Sequence, residues 1–189
     1  MAGKKKRVHV TTPGDLTDLL WLAAERPDSY LMAGGTDLMR RRMPDGFPGR
    51  IIDLTSVSEL SRLSRTERWV DLGAAMPLGR LLGVARNVLP RVLLAAVAGI
   101  GGPALRNQAT IGGNLCLASP LSDSLAPLFA LDARVELRSS GGLRWLPAAL
   151  FLAAHGAPAL RPGEVVCRIR IPLGEWSFGA FRKVSPKAP

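Results

Sequence analysis

Two short glycine segments hold the residues best suited to chemistry. Met32-Ala33-Gly34-Gly35-Thr36-Asp37 lies between a strand-like run and a helical turn. Glycine takes positive φ without steric cost, so successive N–H groups at Gly34, Gly35 and Thr36 can converge on one point. Such a nest of donors suits a phosphate or diphosphate and needs no lysine or arginine. An ordinary tight turn capped by Thr36 is the plain alternative. Thr110-Ile111-Gly112-Gly113-Asn114 repeats the pattern of paired glycines between polar residues. Two nests in one small protein fit a ligand with two phosphates or one long polar spine. Asp123 follows closely. It can accept from sugar or ribityl hydroxyls, and it can also cap a helix expected over Leu125–Leu131.

The other motifs point away from chemistry supplied by the chain itself. Gly99-Ile100-Gly101-Gly102-Pro103-Ala104 matches the dinucleotide pattern G-x-G-x-x-A. That pattern works after a strand and before a helix. Here Val88–Ala98 reads as helix and Pro103 lacks a backbone donor, so no Rossmann site is expected. No Walker loop, His-Glu-x-x-His or Cys-x-x-Cys occurs, and His155, in Ala-Ala-His-Gly, is expected at the surface. Two cysteines and two histidines argue against a structural zinc site, a protein-ligated iron–sulfur cluster and a disulfide scaffold. No catalytic and no metal-ligating residue is expected, which favours a bound cofactor carrying the chemistry.

The elements that position these loops follow from periodicity and punctuation. Asp15 caps a helix whose Leu16, Leu19, Leu20, Ala23 and Ala24 share one apolar face. Ser29–Ala33 and Arg50–Leu54 read as strands, with a loop over Met39–Gly49 between them. Trp69–Gly73 is a strand, Leu78–Ala85 and Val92–Ala98 are helices, and Gly99–Leu117 is a long glycine-rich section. Arg134–Arg138 and Leu143–Leu146 form a hairpin around Gly141-Gly142. Val165–Ile171 and Phe178–Val184 are expected as two final strands. This order, α/β early and antiparallel later, is an α+β fold with two lobes.

Composition bounds the function classes. The 189 residues are 47% apolar, enough for a real core. The net charge of +10 includes a basic arm at residues 1–7, read as solvated. Aromatic residues make up 5%, too few for a stacking platform on single-stranded nucleic acid. The longest apolar stretch, Val88–Ile100, is broken by Pro90 and Arg91 and falls short of the ~20 residues of a membrane span. Without an apolar segment after the basic start, no secretory signal is expected. The expected compartment is the cytoplasm, where Cys116 and Cys167 stay reduced.

Ala33-Gly34-Gly35-Thr36-Asp37-Leu38, Arg106-Asn107-Gln108-Ala109-Thr110-Ile111-Gly112-Gly113-Asn114-Leu115 and Ala118-Ser119-Pro120-Leu121-Ser122-Asp123 together resemble the FAD-binding medium subunit of molybdenum hydroxylases, the xanthine and carbon monoxide dehydrogenase type. Ile51-Ile52-Asp53-Leu54, Leu72-Gly73-Ala74, Pro162-Gly163-Glu164 and Phe181-Arg182-Lys183-Val184 extend the resemblance over about residues 8–184. It implies the two-lobed flavin fold of vanillyl-alcohol oxidase-type enzymes, with a small lobe at 8–60, a larger one at 61–184 and a tail at 185–189. It implies FAD held by Met32, Ala33, Gly34, Gly35, Thr36 and Asp37, and by Thr110, Ile111, Gly112, Gly113 and Asn114. Asp123 is implied on a cofactor hydroxyl, and Ile100, Val166 and Lys183 near the flavin. The implied partners are a [2Fe–2S] subunit and a molybdopterin subunit, with NAD+ or another final acceptor. The family's C-terminal lobe is expected to be absent. Two readings stand beside this one: a flavin-poor assembly or binding module, and a basic nucleic-acid binder supported by charge alone.

Overall fold

The structure, a computed structural model, describes residues 7–40, 48–84, 86–117, 119, 122–152, 158–174 and 178–184. Residues 1–6 of the basic arm, most of the expected loop after Met39, Ala118, Pro120, Leu121, His155 and the 185–189 tail lie outside those residues.

The first unit begins with strand β1 (His9–Thr11) and helix α1 (Leu16–Glu25). Asp15 caps α1 as expected, its side chain accepting from the Asp18 N–H at 2.9 Å. Leu19, Leu22 and Ala23 are buried, with Leu16 and Leu20 packed at the edge. Ala24, expected on that face, is exposed because the buried stripe is turned toward Leu22. Strand β2 (Tyr30–Met32) leads into the short helix α2 (Thr36–Arg40), and β3 (Arg50–Asp53) completes a parallel sheet in the order β1-β3-β2. Ile51 and Ile52 are both buried, as expected for a central parallel strand covered on both faces.

A 3-10 turn at Ser58–Ser61 carries the chain into the second unit. Its sheet contains β4 (Leu63–Arg65), β5 (Trp69–Gly73), β6 (Arg134–Ser139), β7 (Gly142–Pro147) and β8 (Val165–Pro172), all antiparallel, in the order β4-β5-β8-β6-β7. Between β5 and β6 run α3 (Leu78–Val84), α4 (Arg91–Ala98), α5 (Pro103–Gln108), α6 (Ile111–Cys116) and α7 (Leu125–Ala130). A single turn, α8 (Ala148–Phe151), follows β7. Leu78, Leu93, Ile111 and Leu128 from the helices meet Val70, Leu72, Val135 and Ile169 from the sheet in one core. The architecture is thus two-lobed α+β. No helix of the described residues is long and apolar enough to cross a membrane.

Strand β8 joins the lobes. Its pairing with β6 sets Glu136 opposite Arg168 but Leu137 opposite Val166, so Cys167 is the extra residue of a bulge. The bulge exchanges faces. Val165 and Cys167 enter the cluster built by α1 and β3, whereas Ile169 and Ile171 fill the larger core. Beyond the bulge, Arg168 and Arg170 turn outward onto Asp71 of β5. Arg170 donates through Nε and Nη2 at 2.7 and 2.8 Å, and Arg168 through Nη1 at 3.3 Å. The Arg170 guanidinium also lies 4.4 Å from the Trp69 ring and 4.5 Å from the Trp145 ring. Burial pushes the Asp71 carboxyl up, but Arg170 and Arg168 outweigh it and hold the group below its ordinary value.

Two expectations are corrected here. Phe178–Val184 is not a strand: it pairs with no strand among the described residues, and Phe178 is 83% exposed. A strand needs a ladder partner and a face to bury, and this segment has neither. The second glycine segment, Thr110–Leu115, is not a loop but the cap and body of α6, and the glycine-rich section before it folds into α5. Pro103 occupies the first turn of α5, where its missing N–H costs nothing.

Candidate functional site

A cavity of about 140 Å³ opens where the lobes meet. From the first lobe it is lined by Tyr30 through Leu38, and from the second by Ala109, Thr110, Gly113, Asn114, Cys116 and Leu117. Strand β2 delivers the chain to this point, and Gly35, at φ 67°, makes the left-handed turn into α2. Gly34 is required for another reason. A Cβ there would fall 1.8 Å from the Gln108 carbonyl oxygen, so only a bare Cα lets the loop rest on α5. The N–H groups of Gly34, Gly35 and Thr36 donate to no acceptor among the described residues. Asp37 accepts from Arg40 Nη2 at 2.7 Å.

The second glycine segment differs from its expected form. Thr110 is the cap of α6, its Oγ1 accepting from the Gly113 N–H at 3.1 Å. The Ile111 and Gly112 N–H groups donate to the Met76 and Ala74 carbonyls at 3.1 and 2.8 Å, and Asn114 N–H donates to Thr110 O at 2.9 Å. Every backbone donor from Ile111 to Asn114 is therefore engaged, and the segment is no nest. Of the four loop glycines, only Gly35 has positive φ. Gly112 is needed because a Cβ would sit 2.6 Å from that of Ala74. Gly113 presents a bare backbone surface to the cavity.

The remaining expected residues lie elsewhere. Ile111 is fully buried, and Ile100 and Val166 are packed in the larger core. Asp123 is not the cap of α7, a place held by Ser124. Its Oδ2 instead accepts from Lys183 Nζ at 2.6 Å, and Lys183 also donates to the Gly99 carbonyl at 3.3 Å. This pair ties the C-terminal segment to the second lobe, and neither residue lines the cavity. As expected, the G-x-G-x-x-A segment is no Rossmann loop. It follows helix α4, and Arg106 Nη1 donates to the carbonyls of Ala98, Ile100 and Gly101 at 3.1, 3.1 and 2.5 Å. Among the described residues no three His, Cys, Asp or Glu side chains cluster to hold a metal.

Tyr30, Leu31, Leu38, Ala109, Cys116 and Leu117 also line the cavity and were not singled out in the sequence. The signal for two of them was spacing. Once Gly113 is placed on a helix, Cys116 and Leu117 at i+3 and i+4 must share its face. Burial pushes the Cys116 thiol up to about 12, so it lines the wall as a neutral group and not as a nucleophile.

Residues 6–174 match the family model for the FAD binding domain in molybdopterin dehydrogenase. The chain belongs to this family. It is 32% identical over 161 residues to the xanthine dehydrogenase FAD-binding subunit of Escherichia coli O157:H7, covering 83% of this chain and 55% of that protein. Among solved structures, carbon monoxide dehydrogenase from Hydrogenophaga pseudoflava superposes with a TM-score of 0.88 at 26% identity, over 96% of this chain and 64% of that one. Quinoline 2-oxidoreductase from Pseudomonas putida 86 superposes with a TM-score of 0.83 at 28% identity, over 91% and 61%. The chain thus spans about half the length of the curated relative. FAD is the cofactor of this domain family.

Proposed function

We propose that the chain holds FAD across the boundary of its lobes, taken as residues 8–60 and 61–184, and works as the electron-transfer subunit of a molybdopterin-dependent dehydrogenase. In this reading electrons arrive from a [2Fe–2S] subunit, supplied in turn by a molybdopterin subunit, and leave to NAD+ or another acceptor. The observation that carries it is the set of N–H groups at Gly34, Gly35 and Thr36 on a cavity wall that find no acceptor among the described residues. Unpaired backbone donors beside a cavity fit an anion, and the diphosphate is the anionic stretch of FAD. At about 140 Å³ the cavity is smaller than the ~300–1,000 Å³ that enclose a whole drug-sized ligand. It takes one segment of a long cofactor, and the rest extends beyond it.

When bound, FAD supplies the electron exchange. The chain's own residues bind and orient. Gly34, Gly35 and Thr36 donate to phosphate oxygens. Gly113 leaves room for the diphosphate to approach α6, while Thr110 holds that helix end in place. Ile111 and Gly112 shape the wall from behind, and Ile100 and Val166 support it from the core. Asp123, neutralised on one oxygen by Lys183, keeps the other for a hydroxyl. A titration of apo-protein with FAD, ADP and FMN tests the reading. FAD and ADP should compete for one site and FMN should bind poorly, because FMN lacks the diphosphate. Equal binding of FAD and FMN, or no binding of ADP, overturns it.

A further inference from the structure

Ser124 stands at the start of α7, a position where serine normally caps the helix by accepting from a first-turn N–H. It does not do so. Its backbone is already helical, at φ −75° and ψ −17°, and its side chain makes no capping bond. Its hydroxyl instead donates to Asn114 Oδ1 at 2.5 Å, ten residues back on α6. Ser124 is completely buried. A second buried hydroxyl, that of Ser122, donates to the Asn114 carbonyl at 2.7 Å. Two serines from one turn thus grip one residue, and that residue lines the cavity.

The consequence lies in the two ends of the asparagine amide. One end is an acceptor and the other carries two donors. With Oδ1 turned to the buried Ser124 hydroxyl, the NH2 is the end left for the cavity. An anionic ligand is favoured by a donor there and repelled by an acceptor. We propose that Ser124 is a positioning residue. It locks the Asn114 amide so that Nδ2 presents a hydrogen-bond donor to a phosphate oxygen of the ligand, opposite the Gly34-Gly35-Thr36 donors. Ser122 fixes the backbone on which that amide turns. This inference rests on the diphosphate reading above, and adds how the second lobe contributes polar contact although its backbone donors from Ile111 to Asn114 are engaged.

The test is a double-mutant cycle on FAD and ADP binding, with Ser124→Ala and Asn114→Ala singly and together. Ser124→Ala should weaken both ligands about tenfold, the scale of a hydrogen bond to a charged group. In the Asn114→Ala background the same change should alter affinity less than twofold. Ser124→Thr, which keeps the hydroxyl, should restore most of the binding, and Asn114→Asp should weaken it more than Asn114→Ala. Equal losses in both backgrounds, or no loss at all, would overturn the proposal. Should Ser124→Ala fail to fold, Ser124→Thr and the Asn114 variants still decide it. The amide is also readable without ligand: in side-chain NMR the Asn114 NH2 protons should show contacts to cavity-wall protons such as those of Met32 and Thr36. Contacts to Ser124 instead would sink the proposal. Absence of FAD and ADP binding by the unmodified chain refutes the cofactor reading alone, and the NMR contacts then still test the amide.

Discussion

Gly34 and Gly35 are adjacent and identical in type, yet the structure needs them for different reasons, and substitution should separate these. At Gly34 a methyl group meets a carbonyl oxygen of the facing backbone at 1.8 Å, and backbone on both sides must move. At Gly35 the nearest obstacle is the Met32 sulfur at 3.4 Å, so the cost is the conformational one of φ 67°. Gly34→Ala should cost about 3 kcal/mol, as severe overpacking does. Gly35→Ala should cost about 1 kcal/mol. Urea unfolding of the two variants checks the order, and a larger loss at Gly35 would mean that dihedral strain, not the approach to Gln108, dominates this loop.

At the scale of the elements, buried carboxylates tie strands to their neighbours. Arg144 of β7 grips Glu164, just before β8, through Nε and Nη2 at 2.6 and 2.7 Å, and holds its carboxyl below the ordinary value against the effect of burial. Asp71 links β5 to β8 and is likewise lowered. A carboxylate whose folded pKa lies below its unfolded one stabilises the fold above the unfolded pKa. That contribution is lost as pH falls from about 4 through the lowered folded values. Stability to urea should therefore change little from these groups above about pH 5 and drop steeply below about pH 4. Asp71→Asn should flatten part of that drop, which unfolding curves at several pH values will reveal. The C-terminal segment rests on a different kind of contact. The Lys183–Asp123 pair is partly exposed on its lysine side, and such pairs contribute about 1 kcal/mol or less. Lys183→Met should leave global stability almost unchanged while amide exchange at residues 178–184 rises markedly. An unchanged exchange rate there would show that Gly179, packed near Val92, and its neighbours hold the segment without the ion pair.

For the molecule as a whole, the cavity belongs to both lobes, and so does the cluster of Leu19, Ile52, Leu60 and Cys167 beneath the junction. A ligand bound across that boundary stabilises both lobes at once. At a hundredfold excess over its dissociation constant, FAD should add about 2.7 kcal/mol. Hydrogen exchange should slow together at Leu31 of β2 and Leu115 of α6, on opposite sides of the cavity. Protection confined to one lobe would place the cofactor away from the junction.

How far the sequence reached depends on the range of the forces involved. The α1 cap at Asp15, the buried pair Ile51 and Ile52, the hairpin around Gly141 and the exclusion of a Rossmann loop were legible because each is set by residues a few positions apart. The first glycine loop was legible for the same reason: strand, turn and helix start are consecutive, and Gly35 takes the left-handed backbone its type permits. The second loop misled because Gly-Gly signals a turn, whereas Thr110 supplies a cap that lets α6 form, and Ala74 and Met76, more than thirty residues away, take its N–H groups. Phe178–Val184 has a strand's composition, but a strand exists only where another backbone offers a ladder. The need for a bare Cα at Gly34, the face exchange at Cys167 and the turning of the Asn114 amide by Ser124 all depend on contacts between distant segments. Local pattern determined which elements form and the glycine loop from which donors arise. Only the tertiary structure decided which of those donors find no acceptor among the described residues, because a backbone N–H is engaged only by a carbonyl, side chain or ligand that the whole fold brings within reach.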